Sequence, residues 1–68
     1  MEDNELLKSD YKAKYESAKQ NADHAQSQYQ ECYLSKDPEK RQMSAYWANE
    51  YNDYMNEYWE YKRKYDKL

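Results

Sequence analysis

The chain has 68 residues, of which 37% are charged and 38% hydrophobic, and its net charge at pH 7 is −3. A chain of this length forms one domain at most, and its single core is marginal without a disulfide, a metal or a partner. Because the sequence contains no glycine, phenylalanine, valine, isoleucine or threonine, it lacks the best strand formers and the usual hairpin-turn residue, which excludes all-β and α/β folds.

The first predicted helix extends from about residue 4 to about residue 34. Most of its residues are good or tolerable helix formers. The pair Ser9-Asp10 has the chemistry of a second N-cap, which leaves a break in this helix open. Small and aromatic side chains recur at steps of three and four residues, and this spacing places them on one helix face. They are Leu7, Tyr11, Tyr15, Ala18, Ala22, Ala25, Tyr29 and Cys32.

A turn is predicted at about residues 35–37. Pro38 is the only proline, and the residue before a proline avoids helical geometry, so the first helix must end upstream of it. Asp37 is a favoured N-cap, proline suits the first helical position, and Glu39 places an acid at the positive end of the helix dipole. These signals predict a second helix from about residue 38 to about residue 67.

The second predicted helix carries an aromatic seam with the spacing of a coiled coil. Its members recur at alternating steps of four and three residues, as in a heptad repeat. They are Trp47, Tyr51, Tyr54, Tyr58, Tyr61, Tyr65 and Leu68. Tyrosine suits a seam between two helices because the ring body can be buried while the hydroxyl reaches water.

A connection this short forces the two helices antiparallel, so residues whose numbers sum to about 72 should face one another. Small residues then lie opposite rings, which is how a close-packed seam is filled. The expected pairs are Ala25 with Trp47, Ala22 with Tyr51, Ala18 with Tyr54, Tyr29 with Met43, Tyr15 with Tyr58 and Leu7 with Tyr65, flanked by an exposed Lys14–Glu57 ion pair. The sequence therefore predicts an all-α fold, a coiled-coil-like antiparallel two-helix hairpin in which residues 1–68 form a single domain.

A second apolar stripe lies beside the seam of the second helix. Ala48, Met55 and Trp59 form this stripe, Tyr46 stands near the turn, and the first helix has no matching stripe. Exposed apolar surface rich in Trp and Met is typical of an interface. Because one narrow seam leaves a lone hairpin marginal, we expect a partner here. It would be another protein, or a second copy that gives a homodimer and completes a helical bundle.

Glu50, Asp53, Glu57 and Glu60 follow one another at steps of three, four and three, so they form a single negative row. Such a row could contact a basic protein surface, imitate the phosphates of a nucleic acid, or be a solvated helix face. The acids between the rings also make the chain a poor platform for nucleic acid, because they repel phosphate.

Catalytic and metal-binding motifs are missing from the sequence. His24 and Cys32, each the only residue of its type, lie eight positions apart and do not have a paired ligand spacing. We expect no enzyme activity, no cofactor and no metal. With no disulfide partner for Cys32 and no run of roughly 18 apolar residues, a cytoplasmic protein that does not bind membranes is expected.

The sequence thus favours a small, tyrosine-rich, non-catalytic protein-binding module of the adaptor, small chaperone or inhibitor type. Its alternatives are a self-assembling structural or designed helical building block, and an acidic inhibitor that mimics nucleic acid. The residues expected to bind protein are Tyr46, Ala48, Met55, Trp59, Glu50, Asp53, Glu57 and Glu60.

Overall fold

The computed structural model describes residues 2–68, with side chains from residue 4 onward. It contains two α-helices, α1 (Glu2–Tyr33) and α2 (Pro38–Asp66), which make extensive contacts with each other. The hairpin measures 56 × 13 × 12 Å. The predicted helical hairpin is confirmed, and the predicted bounds agree with the observed ones to within two residues. α1 continues through Ser9 and Asp10, so the break left open there does not occur.

The turn is built by short side chains, as the sequence predicts. Asp37 has extended backbone geometry, with φ −81° and ψ 118°, and its carboxylate accepts a hydrogen bond from the Glu39 amide at 3.0 Å. The Asp37 amide in turn donates to the Ser35 hydroxyl at 3.1 Å. Because Pro38 opens α2 without needing an amide partner, the chain reverses over four residues and sets the helices side by side.

Ring contacts across the hairpin fix the register of the two helices. The Tyr15 and Tyr58 rings meet edge to face, with centroids 5.7 Å apart, and the Tyr11 and Tyr61 rings lie 6.1 Å apart. Both pairs have numbers that sum to 72 or 73, so the expected facing of Tyr15 and Tyr58 is confirmed. The same register places Ala22 opposite Tyr51.

The core of the seam consists of small residues from α1. Ala22 and Ala25 are fully buried, and Ala18 and Cys32 are 2% and 5% exposed. The tyrosines of α2 that cover them are each half-buried. Because a methyl group leaves room for a whole ring on the facing helix, alanine on one side and tyrosine on the other fill the seam without a large aliphatic core.

The seam changes character towards the turn. Tyr29 stacks on Tyr33 of the same helix, with centroids 5.7 Å apart and ring planes 19° apart. Met43, its expected partner, remains 46% exposed. At the other end Leu7, the expected partner of Tyr65, is also largely exposed.

Lysines cover the tyrosine rings at the open end of the hairpin. Lys14 pairs with Asp10 at 3.2 Å on its own helix, and its ammonium lies 5.3 Å from the centre of the Tyr61 ring. The expected Lys14–Glu57 pair is therefore wrong, because a carboxylate one turn away on the same helix is the nearer partner. The hydrogen bond to Asp10 raises the pKa of Lys14. The ammonium groups of three further lysines also lie over tyrosine rings. These lysines are Lys8, Lys62 and Lys64, and the rings are those of Tyr11, Tyr15, Tyr61 and Tyr65.

Neither α1 nor α2 combines the length and the apolar character needed to cross a membrane, over the residues that the structure describes.

Candidate functional site

The eight residues expected to bind protein divide between two flanks of α2. Successive residues of an α-helix are about 100° apart around its axis, and α2 is uninterrupted from Pro38 to Asp66. With the aromatic seam at the centre, Ala48, Met55 and Trp59 lie on one side, which we call the apolar flank. Tyr46, Glu50, Asp53, Glu57 and Glu60 lie on the other side, which we call the acidic flank. The two flanks are about 160° apart, so they do not form one continuous surface.

The apolar flank presents one large ring to solvent. Trp59 is 51% exposed, and its ring packs edge to face on Tyr58 with centroids 5.0 Å apart. Met55 and Ala48 are half-buried. The Tyr58 contact therefore orients the indole against the seam, while about half of the Trp59 side chain is exposed to solvent.

Two shallow depressions lie between the helices on the same side as the apolar flank. One has a volume of about 240 Å³ and is lined by Gln26, Tyr29, Ala48, Tyr51 and Asn52. It lies where the small side chain of Ala48 leaves the Tyr51 ring uncovered. The other, of about 410 Å³, is lined by Tyr15, Glu16, Lys19, Gln20 and Tyr58. Both are open to solvent, so they suit a protruding side chain of a protein better than an enclosed small molecule.

On the acidic flank, a neighbouring carboxylate changes the pKa of Tyr46. The Tyr46 ring packs against Trp47 with centroids 5.0 Å apart, and its outer side is 49% exposed. The negative charge of Glu50, one turn further along α2, raises the pKa of Tyr46 above its ordinary value. Because Tyr46 and Glu50 are four residues apart on α2, they lie on the same side of the helix, away from Trp59.

Replacing Glu50 by glutamine is expected to lower the pKa of Tyr46 towards the ordinary tyrosine value. Deprotonation of Tyr46 places a second negative charge beside the Glu50 carboxylate, so removing that carboxylate makes the tyrosinate easier to form. The Tyr46 ring resonances followed by NMR as a function of pH would measure the change. Glu57→Gln is the matched control, because it removes the same charge from the same flank about three turns away. A Tyr46 pKa equal in the two variants would contradict the geometry.

Ion pairing weakens the acidic flank at one end. Glu60 pairs with Lys64 at 3.4 Å, which makes it the one acid of the four with an ion-pair partner among the described residues. The segment of α1 across the seam from Glu50 and Asp53 contributes uncharged polar groups, including Asn21 and Gln28. The row therefore retains three carboxylates without an ion-pair partner among the described residues, of which Glu50 is half-buried.

Two features of this surface were missed at the sequence level, for different reasons. The separation of the flanks follows from helix phase alone, so placing each residue at 100° intervals around α2 would have found it. The contact of His24 with Trp47, edge to face with centroids 5.7 Å apart, has no such signal. His24 lies well off the seam of α1, and only the width of the indole brings the two rings together.

The described residues contain no group of three or more His, Cys, Asp or Glu side chains arranged to hold a metal ion. Cys32 is buried in the seam, where it acts as a small apolar residue. Comparison with known proteins finds no family model, no curated protein and no solved structure that matches this chain.

Proposed function

We propose that this chain is a small non-catalytic protein-binding module, of the adaptor, chaperone or inhibitor type, and that it binds through the apolar flank of α2. The observation that carries the proposal is Trp59, a tryptophan held in place by Tyr58 yet half exposed. Trp is among the residues most enriched at the centres of interfaces. A preformed helix that presents such an anchor matches the binding mode in which a helix packs into a groove or bundle.

The surroundings of Trp59 support an interface rather than an isolated exposed ring. Met55 and Ala48 extend the apolar surface along the same flank, one and three turns away, and depressions lie beside it. On the facing side of α1 stand exposed polar groups, including the Lys19–Asp23 ion pair at 3.3 Å. An apolar centre bordered by exposed polar side chains is the usual composition of a protein interface.

The acidic flank supports the nucleic-acid-mimic alternative less well. One of its four carboxylates is paired with Lys64, and the net charge of the whole chain is only −3. An inhibitor that replaces a phosphate backbone needs a long row of negative charge. We therefore assign the binding role to the apolar flank.

Photo-crosslinking in cells that produce the full chain tests the proposal. Trp59→p-benzoylphenylalanine places a photoreactive ring at the centre of the apolar flank, and Tyr46→p-benzoylphenylalanine places the same ring on the acidic flank. The two positions are matched, since both hold aromatic side chains that are close to half exposed, at 51% and 49%. We expect a defined protein adduct from position 59 and a much weaker one from position 46. Equal labelling at the two positions, or no adduct at either, would reject the proposed function.

A further inference from the structure

The apolar flank of α2 carries no charged side chain over the described stretch from Ser44 to Trp59. Helix phase places Ser44, Ala48, Tyr51, Asn52, Met55 and Trp59 on this side, while all the acids of the stretch fall on the acidic flank. In a two-fold symmetric dimer the same patch faces itself, so a charged residue near the axis would meet its own copy and repel it. An uncharged patch avoids that cost, and this flank is compatible with a second copy of itself.

The apolar flank also holds a protruding side chain and a depression, which lie at about equal distances on either side of Met55. Trp59 protrudes, and the depression lined by Ala48, Tyr51 and Asn52 lies about nine residues before it, or about 13 Å along the helix. Met55 lies midway between them. If two copies of α2 cross antiparallel with Met55 on the two-fold axis, residues whose numbers sum to about 110 face one another. Each Trp59 then lies over the depression of the other copy.

The surface area of the chain leaves room for an interface of the usual size. The hairpin exposes 5350 Å² for a mass of 8.5 kDa, whereas a compact monomer of that mass exposes about 4,650 Å². The excess of about 700 Å² per copy reflects the elongated shape of the hairpin, which measures 56 × 13 × 12 Å. A dimer that buried an area of this size on each copy would have an interface of about 1,400 Å², within the usual range for a specific complex.

From these three observations we infer that the partner of the apolar flank is a second copy of this chain, bound antiparallel through α2 with Met55 on the two-fold axis. The inference rests on the proposed function and specifies its partner. Trp59 of each copy occupies the depression beside Ala48 of the other, and the two hairpins form a four-helix bundle. The acidic flanks then remain in solvent on the outside.

Analytical ultracentrifugation of the full chain across the micromolar range tests the dimer. We expect a reversible dimer, with Trp59→Lys raising the dissociation constant by about 30-fold or more, as for a central interface residue. Tyr46→Lys is the matched control and should leave the constant unchanged. A monomer throughout the range, a trimer or an open-ended series of oligomers, or equal effects of the two variants, would overturn the inference.

Cysteine crosslinking tests the register independently of whether Trp59→Lys folds. In a Cys32→Ala background, Met55→Cys should form an intermolecular disulfide, because a residue on a two-fold axis faces its own copy. Oxidised glutathione serves as the oxidant: two thiols become one disulfide while one molecule of oxidised glutathione becomes two of the reduced form. Glu57→Cys, exposed on the acidic flank, is the control and should stay unlinked. Dimers linked equally well from both positions, or from neither, would overturn the register.

The mass of the photo-adduct at position 59 separates failure of this inference from failure of the proposed function. An adduct of twice the chain mass supports the second copy. A position-59 adduct with a different protein, from a chain that is monomeric in the ultracentrifuge, overturns the second copy and leaves the proposed function standing.

Discussion

Replacing Tyr15 by alanine is expected to lower the free energy of unfolding by about 3 kcal/mol. Tyr15 is the residue of α1 with the most ring contacts: it meets Tyr58 at 5.7 Å and Tyr65 at 5.4 Å, and the Lys62 ammonium lies 5.3 Å from its ring centre. Removing a buried aromatic side chain typically costs about 3–5 kcal/mol, and each edge-to-face pair contributes about 0.5–1.5 kcal/mol beyond area burial. Because the ring is only half-buried, we place the loss at the lower end.

Urea unfolding monitored by far-ultraviolet circular dichroism measures this loss. All variants must be compared at one protein concentration, since the proposed dimer would make apparent stability depend on concentration. Tyr33→Ala is the control for removing a ring from α1, because Tyr33 is 62% exposed and stacks only within its own helix, and it should cost less than about 1 kcal/mol. Tyr15→Phe keeps the ring and should stay close to the parent. If Tyr15→Ala lowers the free energy of unfolding no more than Tyr33→Ala does, the contacts of Tyr15 with Tyr58 and Tyr65 do not stabilise the hairpin.

Replacing Ala22 by leucine is expected to destabilise the hairpin by about 1–3 kcal/mol, the usual cost of overpacking. Ala22 is completely buried, and the register places it opposite Tyr51. Extra methyl groups at this fully buried position would push the two helices apart. Alanine and leucine have similar helix propensities, so a loss measured by urea unfolding would report packing and not helix formation.

Ala13→Leu provides a matched control for this substitution. Ala13 is exposed on the same helix, so the change should alter the free energy of unfolding by no more than about 0.5 kcal/mol. Combining Ala22→Leu with Tyr51→Ala moves the large side chain to the other helix. The double variant should therefore be more stable than the sum of the single effects implies, with a coupling of about 0.5–3 kcal/mol. Strict additivity of the two changes would show that Ala22 and Tyr51 do not meet.

The architecture could be predicted because its signals are local along the chain. Asp37 and Pro38 mark the start of α2 through backbone chemistry that needs no tertiary contact, and the steps of three and four residues define which face of each helix is apolar. A short turn leaves antiparallel packing as the only arrangement for the neighbouring helices. The facing pairs then followed from counting equal numbers of residues along the chain on either side of the turn.

The candidate site was only partly predictable. Trp59 and Met55 were identified because α1 lacks a stripe to cover them, and that is a property of composition. The sequence analysis grouped them with Tyr46 and the acids, whereas helix phase puts the two sets about 160° apart around α2. The binding role of each set stays a prediction. Tyr46 lies one turn before Glu50, which places it on the acidic flank.

By itself the sequence determined two helices, their bounds, their antiparallel order and the burial of the seam alanines, because helix caps and apolar periodicity act within a few residues. Only the tertiary structure decided that Lys14 pairs with Asp10 and lies over Tyr61, that Tyr29 stacks on Tyr33, and that a depression opens beside Ala48. These features depend on the distance between the helices and on side-chain rotamers. Long lysine and tyrosine side chains have several partners within reach, and spacing along the chain does not choose among them.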